Sequence, residues 1–176
     1  VNVDGVSKQS EQCVMDPTDL GSGAAHALTE GACLPDRQVE PPFVLIEPLR
    51  RTAPIIFASP HSGRRYPPEL LADARVSLIS LRRSEDAYVE ELFGFVTSLG
   101  APLLHAHFPR AYLDVNREPY ELDPVLFRDG LPHYANTQSV RVVGGLGTIA
   151  RIVSESDEIY REPLSVGAAL ERINRL

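Results

Sequence analysis

Three short clusters in this chain hold the residue types from which a hydrolytic site is built. The first centres on His61, in Ser59-Pro60-His61-Ser62-Gly63, directly after the apolar run Pro54-Ile55-Ile56-Phe57. Residues 54–59 read as a buried strand, and Ser, Pro and Gly then break it. Loops at the carboxyl ends of strands carry ligands in open α/β sheets, and a histidine there is placed to bind a metal or move a proton. A solvent-exposed histidine in a turn is the plainer alternative. The second cluster is Ser84-Glu85-Asp86. Taken alone, Asp86 reads first as an acid complementing a helix dipole. The third runs from Arg110 to Arg117, Arg-Ala-Tyr-Leu-Asp-Val-Asn-Arg. On a strand, Arg110, Tyr112, Asp114 and Asn116 would share one face. A guanidinium beside an amide suits a bidentate grip on a carboxylate. The competing reading is a structural Asp114–arginine salt bridge on a sheet edge.

The elements that must position these clusters follow from apolar spacing. Phe43-Val44-Leu45-Ile46 reads as a strand, and Tyr66 to Leu71 as the start of a short helix with proline in its first turn. Ser84 suits an N-cap, with Tyr88, Val89, Leu92, Phe93, Val96 and Leu99 at helical spacing behind it and Gly100 as the stop. Residues 102–108 and 111–115 read as further strands, residues 118–139 as a long polar loop, 139–143 as a strand and 163–176 as a final helix. The glycine-rich stretch 144–149 lacks the lysine of a phosphate loop and reads as a tight turn feeding Ile149 and Ile152 into the core. Strand, helix, strand is the rhythm of a three-layer α/β/α domain with a mixed sheet. His105 and His107 share a strand face, a pattern more often structural than metal-binding.

Composition bounds the rest. The chain has 176 residues, enough for one domain with a core, and a hydrophobic fraction of 43%, ordinary for a soluble protein. Of the net charge of −7, residues 1–40 carry most, with seven acids against Lys8 and Arg37. Nothing basic enough to hold nucleic acid remains, and no apolar run approaches a membrane span. Residues 1–40 read as a disordered or loosely attached acidic segment holding both cysteines, Cys13 and Cys33, which leaves the core without thiolates. No secretory signal is recognisable, so the expected location is cytoplasmic. The start at Val1 and the helical pattern running into Leu176 suggest a fragment.

Taken together, the clusters resemble the N-formylglutamate amidohydrolase family. The matching pieces are Ser59-Pro60-His61-Ser62-Gly63 with Tyr66-Pro67, Ser84-Glu85-Asp86 with Leu92, Arg110 through Arg117, and Gly145-Leu146-Gly147-Thr148-Ile149 with Arg151. The resemblance spans roughly residues 42–176, within a domain starting at residue 41. It implies a zinc-carboxypeptidase-like α/β fold, here C-terminally truncated, and one catalytic Zn2+ ion. It further implies His61 and Asp86 as metal ligands, with Glu85 as the alternative acid. Asn116 and Arg117 would bind a substrate carboxylate, with Arg110 assisting. The substrate implied is a small N-acyl acidic amino acid, hydrolysed to formate and glutamate in histidine degradation. A family-type second histidine and catalytic glutamate are not recognisable after Arg117, so the third ligand and general base are expected beyond Leu176. A non-catalytic binding module with the same fold is the alternative. A serine hydrolase built on Ser62 is disfavoured, because Ser62 lacks the Gly-x-Ser-x-Gly elbow.

Overall fold

The computed structural model describes residues 41–154 and 157–176. The expectations for residues 1–40, their cysteines included, lie outside the described residues.

A small mixed sheet carries the first site cluster. Strand β1 (Phe43–Ile46) pairs antiparallel with β3 (Leu103–Ala106), and β2 (Phe57–Ser59) pairs parallel with the other edge of β3, giving the order β1-β3-β2. The central strand is the buried one: Leu103 and Ala106 are both inside. Strand β2 is shorter than its apolar run suggests. Ile55 and Ile56 are exposed, and pairing begins only at Phe57, whose N–H reaches Pro102 O at 2.9 Å. A mixed α/β domain with a small mixed sheet is thus what the chain forms.

Helices α1 (Pro68–Asp73) and α2 (Leu78–Arg82) follow β2. Proline at the start of α1 costs nothing, since its missing N–H would be unpaired there anyway. Ser77 caps α2 by accepting from Ser80 N. Leu70 and Leu81 then enter the main core with Phe108, Tyr112, Leu122, Ile149 and Ile159. The closing helix α5 (Val166–Arg175), capped by Ser165, seals that core with Ala169 and Arg172. Arg172 is buried with no carboxylate partner among the described residues. Its guanidinium lies 4.1 Å from the Tyr112 ring centroid and donates to Tyr112 O and Tyr160 Oη. Cation–π attraction and two charge-assisted hydrogen bonds offset its desolvation.

Three sequence expectations are corrected. The helix expected from Ser84 to Leu99 is a turn over 84–88, a four-residue helix α3 (Val89–Leu92) and a 3-10 helix (Gly94–Leu99). Asp86 N–H is tied to His61 O at 3.0 Å, and Tyr88 sits at φ 64°, so helical geometry starts only at Val89. Ser84 accordingly does not cap; its hydroxyl donates to Leu81 O. Gly100 does end the segment, at φ 84°. Residues 111–115 are not a strand. Tyr112 N–H turns back to Pro109 O and Arg117 N–H to Asp114 O, so the segment is a run of turns that buries Tyr112, Leu113 and Asp114 together. Residues 140–143 form helix α4 (Val140–Val143) instead of a strand, because Ser139 accepts from Val142 N and starts a helical turn. A separate hairpin of β4 (Ile152–Val153) and β5 (Asp157–Glu158) follows.

Candidate active site

The turn after β2 is held against the sheet by close packing. A Cβ on Gly63 would lie 2.1 Å from Phe108 O and 2.6 Å from His107 C, so only glycine fits. Arg65 N–H bonds His107 O at 2.9 Å just beyond it, and Ser59 donates to Ser62 across the turn at 2.8 Å. Both serine hydroxyl groups are buried in that bond, which leaves Ser62 in a structural role. Gly63→Ala is expected to destabilise the fold by on the order of 3 kcal/mol, the upper range for overpacking against immobile backbone. A urea titration checks it: the midpoint should drop with m unchanged, whereas an unmoved midpoint would mean that the turn can shift away from Phe108.

This packing buries His61 to 6% exposure and commits both of its ring nitrogens. Nε2 lies 2.7 Å from Asp114 Oδ1 and Nδ1 lies 3.3 Å from Asp86 Oδ2. A carboxylate accepts, so Nε2 carries the hydrogen toward Asp114 and Nδ1 faces Asp86. Asp86 reaches this position through the backbone bond to His61 O, and its side chain is half exposed. Glu85 points elsewhere. Its side chain is almost fully buried, accepts from Tyr66 Oη at 2.8 Å and lies 3.3 Å from Arg82 Nε. Burial, and next the Glu85 carboxylate, push the Tyr66 phenol well above its ordinary range.

Asp114 is the hub. Besides His61 it accepts from Arg110 Nη2 at 2.8 Å and from the Asn116 backbone N–H at 3.0 Å, and Arg117 Nε lies 3.5 Å away. Burial alone would raise its carboxyl; the hydrogen bond and charge of His61, then those of Arg110, outweigh burial and hold it well below the carboxylate range. The glycine-rich turn fixes its backbone. Asp114 N–H bonds Thr148 O at 2.8 Å, and Thr148 N–H bonds Glu121 O at 2.8 Å. A Cβ on Gly147 would meet Glu121 O at 2.4 Å. Ile149 enters the core as expected, while Ile152 is only partly buried.

Beside Asp114 opens a cavity of about 230 Å3, bordered by Ser84, Arg110, Arg117, Arg141 and Gly147. Arg117 Nε is buried there with no hydrogen-bond partner among the described residues. Asn116 is exposed and does not line the cavity. A larger hollow of about 580 Å3 near Arg75 and Glu158 is lined by no histidine among the described residues, and its two arginines are already paired, Arg75 with Glu158 at 3.0 Å and Arg151 with Asp123 at 2.7 Å. His105 and His107 stack edge to face at 5.4 Å, with His107 Nδ1 on Pro41 O at 2.9 Å. Asp114 and Arg141 are the charged residues bordering this cavity that the sequence did not single out as site residues. The signal for Asp114 was present, an acid between two arginines at i−4 and i+3; Arg141, on a helix read as a strand, gave none.

A buried histidine lies between two carboxylates, and one of them, Asp114, also borders an arginine-lined cavity with the charge to take a small anion. The chain belongs to the N-formylglutamate amidohydrolase family, whose model matches residues 53–176. Among solved structures, it is similar to the N-formylglutamate amidohydrolase from Ralstonia eutropha JMP134, with 35% identity and a TM-score of 0.70, over 76% of this chain and 47% of that one. The chain thus spans about half the length of that relative. No curated protein matches it. Among the described residues no helix is long and apolar enough to cross a membrane.

Proposed function

We propose that this site serves the hydrolysis of an N-acyl acidic amino acid, N-formylglutamate in the first instance, with one zinc ion held by His61 and Asp86. The observation that carries the reading is His61 itself, locked through Nε2 by Asp114 with Nδ1 turned to Asp86 3.3 Å away. An imidazole nitrogen and a carboxylate are two of the three protein ligands that a catalytic zinc takes. Among the described residues no third His, Cys, Asp or Glu joins them. When bound, the metal would polarise the acyl carbonyl and lower the pKa of water. Family membership supports the substrate class, and the zinc-carboxypeptidase-like layering of the resemblance goes with the same proposal. So do a cytoplasmic setting and a role in histidine degradation.

The chain's own residues bind and orient. Asp114 fixes the tautomer and ring plane of His61, the arrangement that metal-binding histidines commonly need. Arg110 and Arg117, side by side on Asp114, border the cavity, where their guanidinium charge suits a carboxylate. In the overall reaction the oxygen of water bonds to the formyl carbon and the carbon–nitrogen bond breaks. The amine takes up a proton, giving formate and glutamate.

Formate release from N-formylglutamate by the intact protein is the test. Turnover should vanish on chelation and return with Zn2+. Binding of the substrate without turnover at any metal concentration would favour the non-catalytic binding module.

A further inference from the structure

The cavity beside Asp114 holds more positive charge than one carboxylate needs. Arg110 and Arg117 share Asp114, which is in turn bonded to His61. Arg141 is the third guanidinium on the wall, and it has no hydrogen-bond or ion-pair partner among the described residues. Its backbone is nonetheless well fixed. Ser139 caps α4 through Val142 N–H, and Arg141 O accepts from Leu146 N at 2.7 Å, closing the turn that Gly147 packs against Glu121. Three cations thus border a 230 Å3 space against one carboxylate, already engaged. That excess suits a small dianion better than a monoanion.

We infer that Arg141 reads a second carboxylate of the substrate, distinct from the one taken by Arg117 with Arg110, and so makes the site selective for acylated amino acids with an acidic side chain. The inference rests on the proposed hydrolytic reading for its substrate, but it concerns binding and can be tested without turnover. Arg141 is exposed and bonds nothing through its side chain, so Arg141→Gln should fold with an unchanged Tm.

Calorimetry on metal-free protein, with glutarate and its monomethyl ester as probes, gives the first readout. Wild type should bind glutarate about tenfold more tightly than the ester, a modest preference because the arginine is partly solvated. In Arg141→Gln the two affinities should converge. The second readout is kcat/KM on N-formylglutamate and each of its two monoamides. Arg141→Gln should lose discrimination against one amide, and Arg117→Lys against the other. An unchanged glutarate-to-ester ratio in Arg141→Gln overturns the inference, as does a wild type that does not prefer glutarate. So does loss of discrimination against the same amide in both variants, which would put the two arginines on one carboxylate. If the binding ratio behaves as expected but no substrate releases formate, the dianion site stands and the hydrolytic reading falls.

Discussion

His61→Ala is expected to abolish stoichiometric zinc retention and to lower kcat/KM on N-formylglutamate at least about a thousandfold, because alanine leaves nothing to replace a ligand to the metal. Metal analysis after dialysis reads the first effect and formate release the second. The structure adds a graded control. Asp114 touches the imidazole from the side away from Asp86, through Nε2 at 2.7 Å. Asp114→Asn keeps the size and one acceptor oxygen but removes the charge, and should weaken zinc affinity by roughly 10–100-fold, the usual effect of losing the group that orients a ligand. Asp86→Ala should resemble His61→Ala, while Glu85→Gln should leave metal content unchanged, since Glu85 is occupied by Tyr66 and Arg82. Zinc that stays stoichiometric in His61→Ala would remove that residue from the ligand set. The buried pair with Asp114 would then be structural, the remaining explanation for a histidine only 6% exposed.

The parts of this site that were legible in the sequence are those set by local rules. A strand broken by Ser-Pro-His-Ser-Gly puts His61 at a sheet end, and the short sheet around β3 forms much as its apolar runs indicate. What was not legible came from long-range contacts. The helix expected from Ser84 has good local periodicity, yet the left-handed backbone of Tyr88, at φ 64°, interrupts it ahead of Val89. Two residues earlier Asp86 N–H bonds His61 O, across 25 residues, which sets Asp86 beside the imidazole just ahead of the break. The left-handed Tyr88 is its local mark: non-glycine residues adopt such a backbone when surrounding contacts require it. Likewise, alternation along 110–117 would have put Tyr112 with Arg110, Asp114 and Asn116. Pro109 instead starts a series of turns, and Tyr112 leaves the polar side to pack under Arg172 and bond Glu69. Arg110, Asp114 and Arg117 then meet by i−4 and i+3 spacing in turns, and no strand face is involved.

That geometry sharpens what Arg117→Lys should do. The guanidinium is only 15% exposed, and its Nε lies 3.5 Å from Asp114, too far for a hydrogen bond yet close enough for the charges to interact. A lysine ammonium could keep the charge near Asp114, but it lacks the planar fork that grips a carboxylate with two parallel bonds. The expected loss in kcat/KM on N-formylglutamate is on the order of 2–5 kcal/mol, the range for disrupting a desolvated charge pair, or roughly thirtyfold to several thousandfold. Zinc content should not change, because Arg117 lies on the Asp114 side of the imidazole and is not a ligand. The loss should largely disappear on the amide of the carboxylate that Arg117 grips, since no charge is left there to pair. Equal losses on the acid and on both amides would assign Arg117 a supporting role, holding Asp114 and through it His61. In that case Arg117→Lys should also weaken zinc binding, as Asp114→Asn does. The two roles therefore part on two independent readouts, substrate charge and metal affinity, and a variant that moves only the first identifies Arg117 as the residue that recognises substrate.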